Sequence, residues 1–275
     1  MKRLSRPSHY KIKIGTATRK VSAAYRMLRN KGLAAFLSSV FRAIKVKVSI
    51  YVRGRDKVIS LDGCQFDLYK IPNTRMKLEL LTGAYEHRER SAARRYIRRE
   101  WAVVELGGCI GVVACVTNKL LQSPAAHVVL EANPLAIPHL KSNRDANHCS
   151  FKIVNRALAY NANTVTFSPW LDLWNNSLHH DGAHQPPVTV QTTELRQILQ
   201  EERFDKFALI CDIEGQEYEL VMREADVLRA AELIIMEVHP QVIGEEKVQA
   251  LMSGLADLGF KTIETSSRVT VLSKA

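Results

Sequence analysis

VVELGGCIG, Val103 to Gly111, is the stretch that decides the fold. An apolar run from Ala102 to Leu106 carries one acid, Glu105, and then breaks at Gly107, Gly108 and Gly111 before continuing as a helical pattern. Twenty residues after Gly111 a second apolar run, HVVLE, ends in Glu131, and a third, FALICDIEG, ends in Asp212 and Glu214. Glycines let a backbone approach a ligand closely, and the amides that open a helix favour a polar or anionic guest. An acid at the end of the second strand is placed to accept both hydroxyls of a ribose. Strand, glycine turn, helix, strand, acid is the order of a nucleoside-binding half of a doubly wound sheet.

Outward from that core, strands are predicted near 102–106, 127–131, 151–156, 207–212 and 232–238, and helices near 110–121, 135–147, 193–203, 216–230 and 244–258. Such alternation implies a parallel sheet covered on both faces. Two final β runs, Phe260 to Glu264 and Arg268 to Ser273, predict an antiparallel C-terminal hairpin. Upstream, Val58 to Leu61 and Gln65 to Tyr69 flank Asp62-Gly63, the signal of another hairpin. Ser91 to Glu100 reads as a basic helix with a solvated face. An irregular insert, roughly Ser168 to Pro187, holds Trp170, Trp174, His179, His180 and His184 and reads as a lid or substrate loop. Its histidines lack an anchored partner elsewhere, so a solvated loop is preferred to a metal site.

The positive charge is confined to one end. Residues 1–60 hold 16 of the 39 basic residues and one of the 28 acids, Asp56, while the rest of the chain carries 23 basic residues against 27 acids. A nucleic-acid enzyme spreads positive charge around its active face, so nucleic acid is disfavoured as a partner. Within the basic segment, Val21, Tyr25, Leu28, Phe36, Leu37, Val40, Phe41 and Ile44 recur at helical spacing, interrupted at Asn30-Lys31-Gly32. Three readings stand: an apolar stripe packed on the main domain, which is preferred, a basic amphipathic helix on an anionic membrane through residues 19–48, or a mitochondrial presequence. The chain thus divides into a basic helical appendage (1–57), a hairpin and lead-in helix (58–100) and the α/β domain (101–275). Five cysteines without a C-x-x-C pair point to buried, reduced thiols of a cytoplasmic protein rather than to disulfides or zinc.

Two cofactors compete for the nucleoside site. A dinucleotide fold wants G-x-G-x-x-G, whereas the pattern here is Gly107-x-Cys109-x-Gly111 with Glu105 inside the strand. A carboxylate there repels a pyrophosphate and suits the ammonium and sulfonium of S-adenosylmethionine. A strand pair closing a parallel sheet is likewise how methyltransferase sheets of this Rossmann-like kind end. An NAD-dependent oxidoreductase is the runner-up, followed by a non-catalytic module that binds membrane or nucleic acid through its basic N terminus.

From about Gly83 onward the residues resemble the FkbM-type methyltransferases, a branch of the class I S-adenosylmethionine enzymes. The resemblance rests on Tyr85-Glu86, on VELGGCIG, on LEANP (Leu130 to Pro134), on Leu140-x-x-Asn143 with Asn147, and on Asn155-Arg-Ala157-Leu. Thr192-Thr193-x-Leu195, DIEGQE (Asp212 to Glu217) and EVHP (Glu237 to Pro240) complete it. Where the family often has lysine before the DIEGQE aspartate, this chain has Cys211. The resemblance implies a seven-stranded, mostly parallel sheet and methyl transfer to a hydroxyl of a glycan, polyketide or other small molecule. It implies cofactor contacts from Glu86, Glu105, Gly107, Gly108, Cys109, Gly111, Glu131, Ala132, Asn133, Ala157 and Asp212. Asp212, Glu214 and His239 stand at strand ends and are the catalytic candidates, with His239 the expected general base near neutrality. No metal set is assigned, because beside Asp212 no second or third ligand can be named.

Overall fold

The structure is a computed structural model that describes residues 58–168 and 186–274. The chain divides into two units at Asp56/Lys57, and the unit described is the second. The appendage helices and nearly all of the insert with its tryptophans and histidines lie outside the described residues.

Seven strands form the central sheet. β3 (Ala102–Leu106), β4 (His127–Leu130) and β5 (Lys152–Val154) run parallel on one side of the switch point. β9 (Phe207–Cys211) and β10 (Ala231–Glu237) run parallel to them on the other. β12 (Val269–Lys274) pairs antiparallel with β10, and β11 (Phe260–Ser266) antiparallel with β12. The spatial order is β11-β12-β10-β9-β3-β4-β5. This is the doubly wound, mostly parallel seven-stranded sheet with an antiparallel C-terminal hairpin that the alternation of elements predicts.

The inner strands read as unbroken apolar runs because helices cover both faces. On one face Val104, Leu106, Leu209, Cys211, Ile234 and Met236 meet α5 (Leu195–Glu202), α6 (Glu217–Arg223) and α9 (Glu245–Asp257). On the other, Val103, Ala208, Ile210, Leu233 and Ile235 meet α2 (His87–Tyr96) and α3 (Val112–Leu120). Successive core residues alternate between the two clusters along each strand, as the period of two requires.

Three departures from the sequence reading matter. α2 begins at His87 and ends at Tyr96, so the basic run Arg98-Arg99-Glu100 lies beyond it. Arg90, in its first turns, is a core residue: it is 1% exposed, donates to the carbonyls of Tyr85 (2.8 Å) and Gly83 (2.7 Å), and pairs with Asp62 of the β1–β2 hairpin turn. β1 (Val58–Leu61) and β2 (Cys64–Asp67) are thereby tied to the bend at Tyr85-Glu86. Second, a helix not foreseen, α1 (Thr74–Thr82), follows that hairpin, capped by the Asn73 side chain on the Met76 amide. Third, β6 (Ala157–Leu158), β7 (Thr164–Phe167) and β8 (Val188–Thr193) form a separate three-stranded sheet. Among the described residues no helix is long and apolar enough to cross a membrane. None of the five cysteines forms a disulfide; three are buried and two half-buried.

Candidate functional site

The glycine turn does two different jobs. Gly107 has φ +92°, and a Cβ there would sit 1.8 Å from the carbonyl oxygen of Asp212, so β3 and β9 approach with no room for a side chain. Gly108 and Gly111 face the protein interior instead: added Cβ atoms would meet Val129 Cγ1 at 2.3 Å and Leu140 Cδ1 at 2.4 Å. These two glycines let α4 (Ile137–Ala146) lie against the turn. Asn143, one turn after Leu140, donates 2.8 Å to the Ile110 carbonyl, and Asn147 exchanges bonds with the Gln65 backbone at 2.7 and 2.9 Å. The Leu140-x-x-Asn143…Asn147 motif is therefore scaffolding for the glycine turn and the first hairpin.

Above the carboxyl ends of β3, β4 and β9, at the switch point between β3 and β9, a cavity of about 430 Å³ opens. Its volume falls in the range of small-molecule sites. Of the residues expected to touch a cofactor, Glu86, Gly107, Cys109, Glu131, Ala132, Ala157 and Asp212 line it. Among the catalytic candidates Asp212 and Glu214 line it, and Glu237 and Glu89 join them. The structure brings these together from six segments of the sequence.

Glu105, Gly108, Gly111, Asn133 and His239 are not among the residues that line the cavity. Glu105 points to the α2–α3 face, where its carboxylate lies 3.5 Å from Nε2 of the buried His127. The strand alternation sends it there, since Val104 and Leu106 face the opposite cluster. Asn133 acts one step removed, because its backbone N–H donates 2.6 Å to Glu131 Oε1.

Glu131 is held by that bond and by the Cys109 N–H, which donates 2.7 Å to Oε2. Burial pushes its carboxyl up to about 7, against the lowering effect of the two amide bonds. The lining is dominated by acids. Glu86 and Asp212 are pushed well above the usual carboxylate range by burial and then by neighbouring acids, and Glu89 to about 7 by burial foremost. Three of the four arginines in the wall are paired with acids, Arg268 with Glu237, Arg75 with Glu79 at 3.0 Å and Arg156 with Glu201 at 3.4 Å.

Backbone strain collects here. Among the described residues eight non-glycines have positive φ, and four of them, Glu86 (45°), Cys109 (45°), Glu214 (52°) and Ser267 (57°), line this cavity. Such conformations persist where surrounding structure over-determines them, commonly at binding sites.

Behind Asp212 and Glu214 sits His239, 1% exposed. Its Nδ1 lies 2.7 Å from Glu217 Oε1, and its Nε2 lies 3.3 Å from Glu214 Oε2 and 3.6 Å from Asp212 Oδ1. Burial works to lower its pKa, but the bond to Glu217 and the charges of Glu217, Asp212 and Glu214 prevail and raise it to about 9. A general base poised near neutrality, as expected from its residue type, is not what these neighbours make of it. Glu217 is the residue that the sequence reading missed. It is visible as the last letter of DIEGQE, but its role depends on a contact with a residue 22 positions away.

No protein-family model matches the chain, and no curated protein matches it in sequence. Solved structures with a similar course of chain include a protein of the NADB-Rossmann superfamily from Streptococcus agalactiae, at 9% identity over 68% of each chain and TM-score 0.42. A ribosomal protein L11 methylase from Lactobacillus delbrueckii subsp. bulgaricus is similar at 11% identity, over 70% of this chain and 80% of that one, with TM-score 0.40. An O-methyltransferase from Bacillus cereus, solved with SAH, is similar at 13% identity over 68% and 81%, with TM-score 0.42. Likeness at this level carries no argument about activity.

Proposed function

We propose that the chain is an S-adenosylmethionine-dependent methyltransferase acting on a hydroxyl group of a glycan, polyketide or other small molecule, in the manner of the FkbM-type enzymes its motifs resemble. One observation carries the reading: seven carboxyl groups, Glu79, Glu86, Glu89, Glu131, Asp212, Glu214 and Glu237, line one cavity at a glycine turn, against four arginines. That lining attracts a ligand bearing an ammonium and a sulfonium and repels a pyrophosphate, which favours the methyl donor over a nicotinamide dinucleotide.

The residues present fit such a cofactor. Glu131 already accepts two amide bonds, yet a carboxylate has about four lone-pair sites, so two remain for ribose hydroxyls. Leu130, Ala132, Ala157 and Leu158 supply an apolar wall suited to a purine. Glu86 and Asp212 stand near the glycine turn, where the cationic methionine end belongs. When bound, the cofactor supplies an electrophilic methyl group on sulfur.

The rest of the reaction falls to the protein. The acceptor oxygen must be held within about 3 to 3.5 Å of the methyl carbon and in line with it. As the new C–O bond forms and the C–S bond breaks, the hydroxyl proton passes to the Asp212–Glu214 pair. Burial raises both carboxyls, which brings a carboxylate base nearer the operating pH. His239 supplies the positive charge behind that pair and orders it.

Calorimetric titration with S-adenosylhomocysteine and, separately, NADH tests the reading. Saturable binding of the first and none of the second is expected. Binding of NADH alone would overturn it, and methylation of amines but not hydroxyls in an acceptor panel would overturn the assignment to oxygen.

A further inference from the structure

Three side chains converge at the cavity edge. Asp212 leaves the end of β9, Glu214 follows in a left-handed bend, and His239 leaves the end of β10, so that one ligand atom from each lies within 4.8 Å of the others. The spacing is informative. His239 Nε2 stands 3.3 Å from Glu214 Oε2 and 3.6 Å from Asp212 Oδ1, beyond the usual range of an N–H···O hydrogen bond. Two donors each about 2.1 Å from a shared metal, at tetrahedral or octahedral angles, lie about 3.0 to 3.4 Å apart. The imidazole–carboxylate spacings sit close to that separation.

Two further features point to a cation. Asp212 Oδ1 is sealed from solvent and has no hydrogen-bond partner. His239 Nδ1 is engaged by Glu217 Oε1 at 2.7 Å, with Glu217 itself 0% exposed. A carboxylate that holds the far nitrogen of a histidine is the usual arrangement behind a metal-ligating imidazole, since it turns the other nitrogen's lone pair toward the ion.

We propose that Asp212, Glu214 and His239 form a binding site for one divalent metal ion of the Mn²⁺ or Zn²⁺ class. One nitrogen and two carboxylate oxygens suit these ions better than Mg²⁺ or Ca²⁺, which favour oxygen alone. Asp212 and Glu214 line the cavity, so the remaining coordination positions face the space where a substrate oxygen would come. On the methyltransferase reading, and only there, the ion orients the acceptor hydroxyl and lowers its pKa, while the second oxygen of each carboxylate stays able to take the proton.

The full chain, stripped with chelator and desalted, is titrated with Mn²⁺ in the absence of cofactor, following the free-ion EPR signal, with Zn²⁺ as competitor. One Mn²⁺ per chain, displaced by Zn²⁺, is the expected result. Asp212→Asn and Glu214→Gln should each weaken binding at least tenfold, and Glu217→Gln, which acts through His239 and the Gly215 N–H, by about 10- to 100-fold. Melting curves of the stripped variants show whether each is folded. A variant with His179, His180 and His184 all changed to Ala should bind as the parent does. Absence of saturable binding would overturn the site and leave His239, protonated, as the partner of Asp212 and Glu214. Binding that survives both carboxylate variants, or vanishes with the three-histidine variant, would overturn it too. S-adenosylhomocysteine titrated into the stripped protein separates the two readings: cofactor binding without metal binding sinks this proposal alone, and the reverse sinks the proposed function alone.

Discussion

Nδ1 of His239 lies 2.7 Å from Oε1 of Glu217, and both side chains are closed to solvent. Glu217 Oε1 also accepts the Gly215 N–H at 3.0 Å, so this one carboxylate fixes both the imidazole and the bend that carries Glu214. The relationship makes His239 part of a rigid base plate beneath Asp212 and Glu214 rather than a group in the cavity.

Catalysis should therefore depend on the two carboxylates that face the cavity. Asp212→Asn and Glu214→Gln are each expected to lower turnover on a hydroxyl acceptor by about 10²- to 10⁴-fold, the usual reach of general-base help. Glu214→Gln should leave the affinity for S-adenosylhomocysteine within a few-fold. Near-normal turnover in both variants would mean that orientation alone drives the reaction.

At the ribose end, Glu131→Gln replaces an acceptor of two amide bonds by a group with one oxygen. Hydrogen bonds to a charged partner contribute about 1.5 to 3 kcal/mol each. Affinity for S-adenosylhomocysteine should fall more than tenfold, as read by calorimetry, with the circular dichroism spectrum unchanged. Unaltered affinity would remove Glu131 from the cofactor site.

The two strands meeting at the glycine turn make a clear stability prediction. Gly107→Ala sets a Cβ against backbone, 1.8 Å from the Asp212 carbonyl oxygen, at φ +92°. Gly63→Ala, at φ +81° with nothing within 4 Å, isolates the conformational penalty, about 1 to 2 kcal/mol. Denaturant midpoints should show Gly107→Ala well below Gly63→Ala. Equal midpoints would mean that β9 yields and that the close approach is dispensable.

A cavity full of raised carboxyls sets the pH dependence of the cofactor-free protein. Glu131 and Glu89 rise from 4.5 to about 7 on folding, so the folded state holds their protons longer than the unfolded state does. Their contribution is fully present below pH 4.5 and is lost as pH rises through 7, on the order of 3 kcal/mol for each group. His239, raised to about 9, adds a loss of the same sign between pH 6.5 and 9. The melting temperature of the stripped protein should thus decline from pH 5 to pH 9. A rise over that interval would contradict the assigned environments.

Much of the site is legible in the sequence because parallel strands put their ends on one edge. The acids that close HVVLE and FALICDIEG had to reach that edge whatever their neighbours. Glu105 shows the limit of such reading. Its position in the strand is clear, but one residue of register decides the face, and the fold turns it to His127 and not to the cavity. His239 shows another: its residue type suggests a near-neutral titration, while three surrounding carboxylates carry it to about 9.

Periodicity and turn chemistry are local, so the alternation of strands and helices, the glycine turn, the C-terminal hairpin and the strand-end acids can be read from the residues alone. Folding was needed to reveal that α1, Arg90 and Asp62 brace the site from upstream, that Glu217 holds His239, and that Asp212, Glu214 and His239 bring one ligand atom each within 4.8 Å of the others. Those depend on contacts between segments distant along the chain, where a few tenths of an ångström and the loss of water set both geometry and charge.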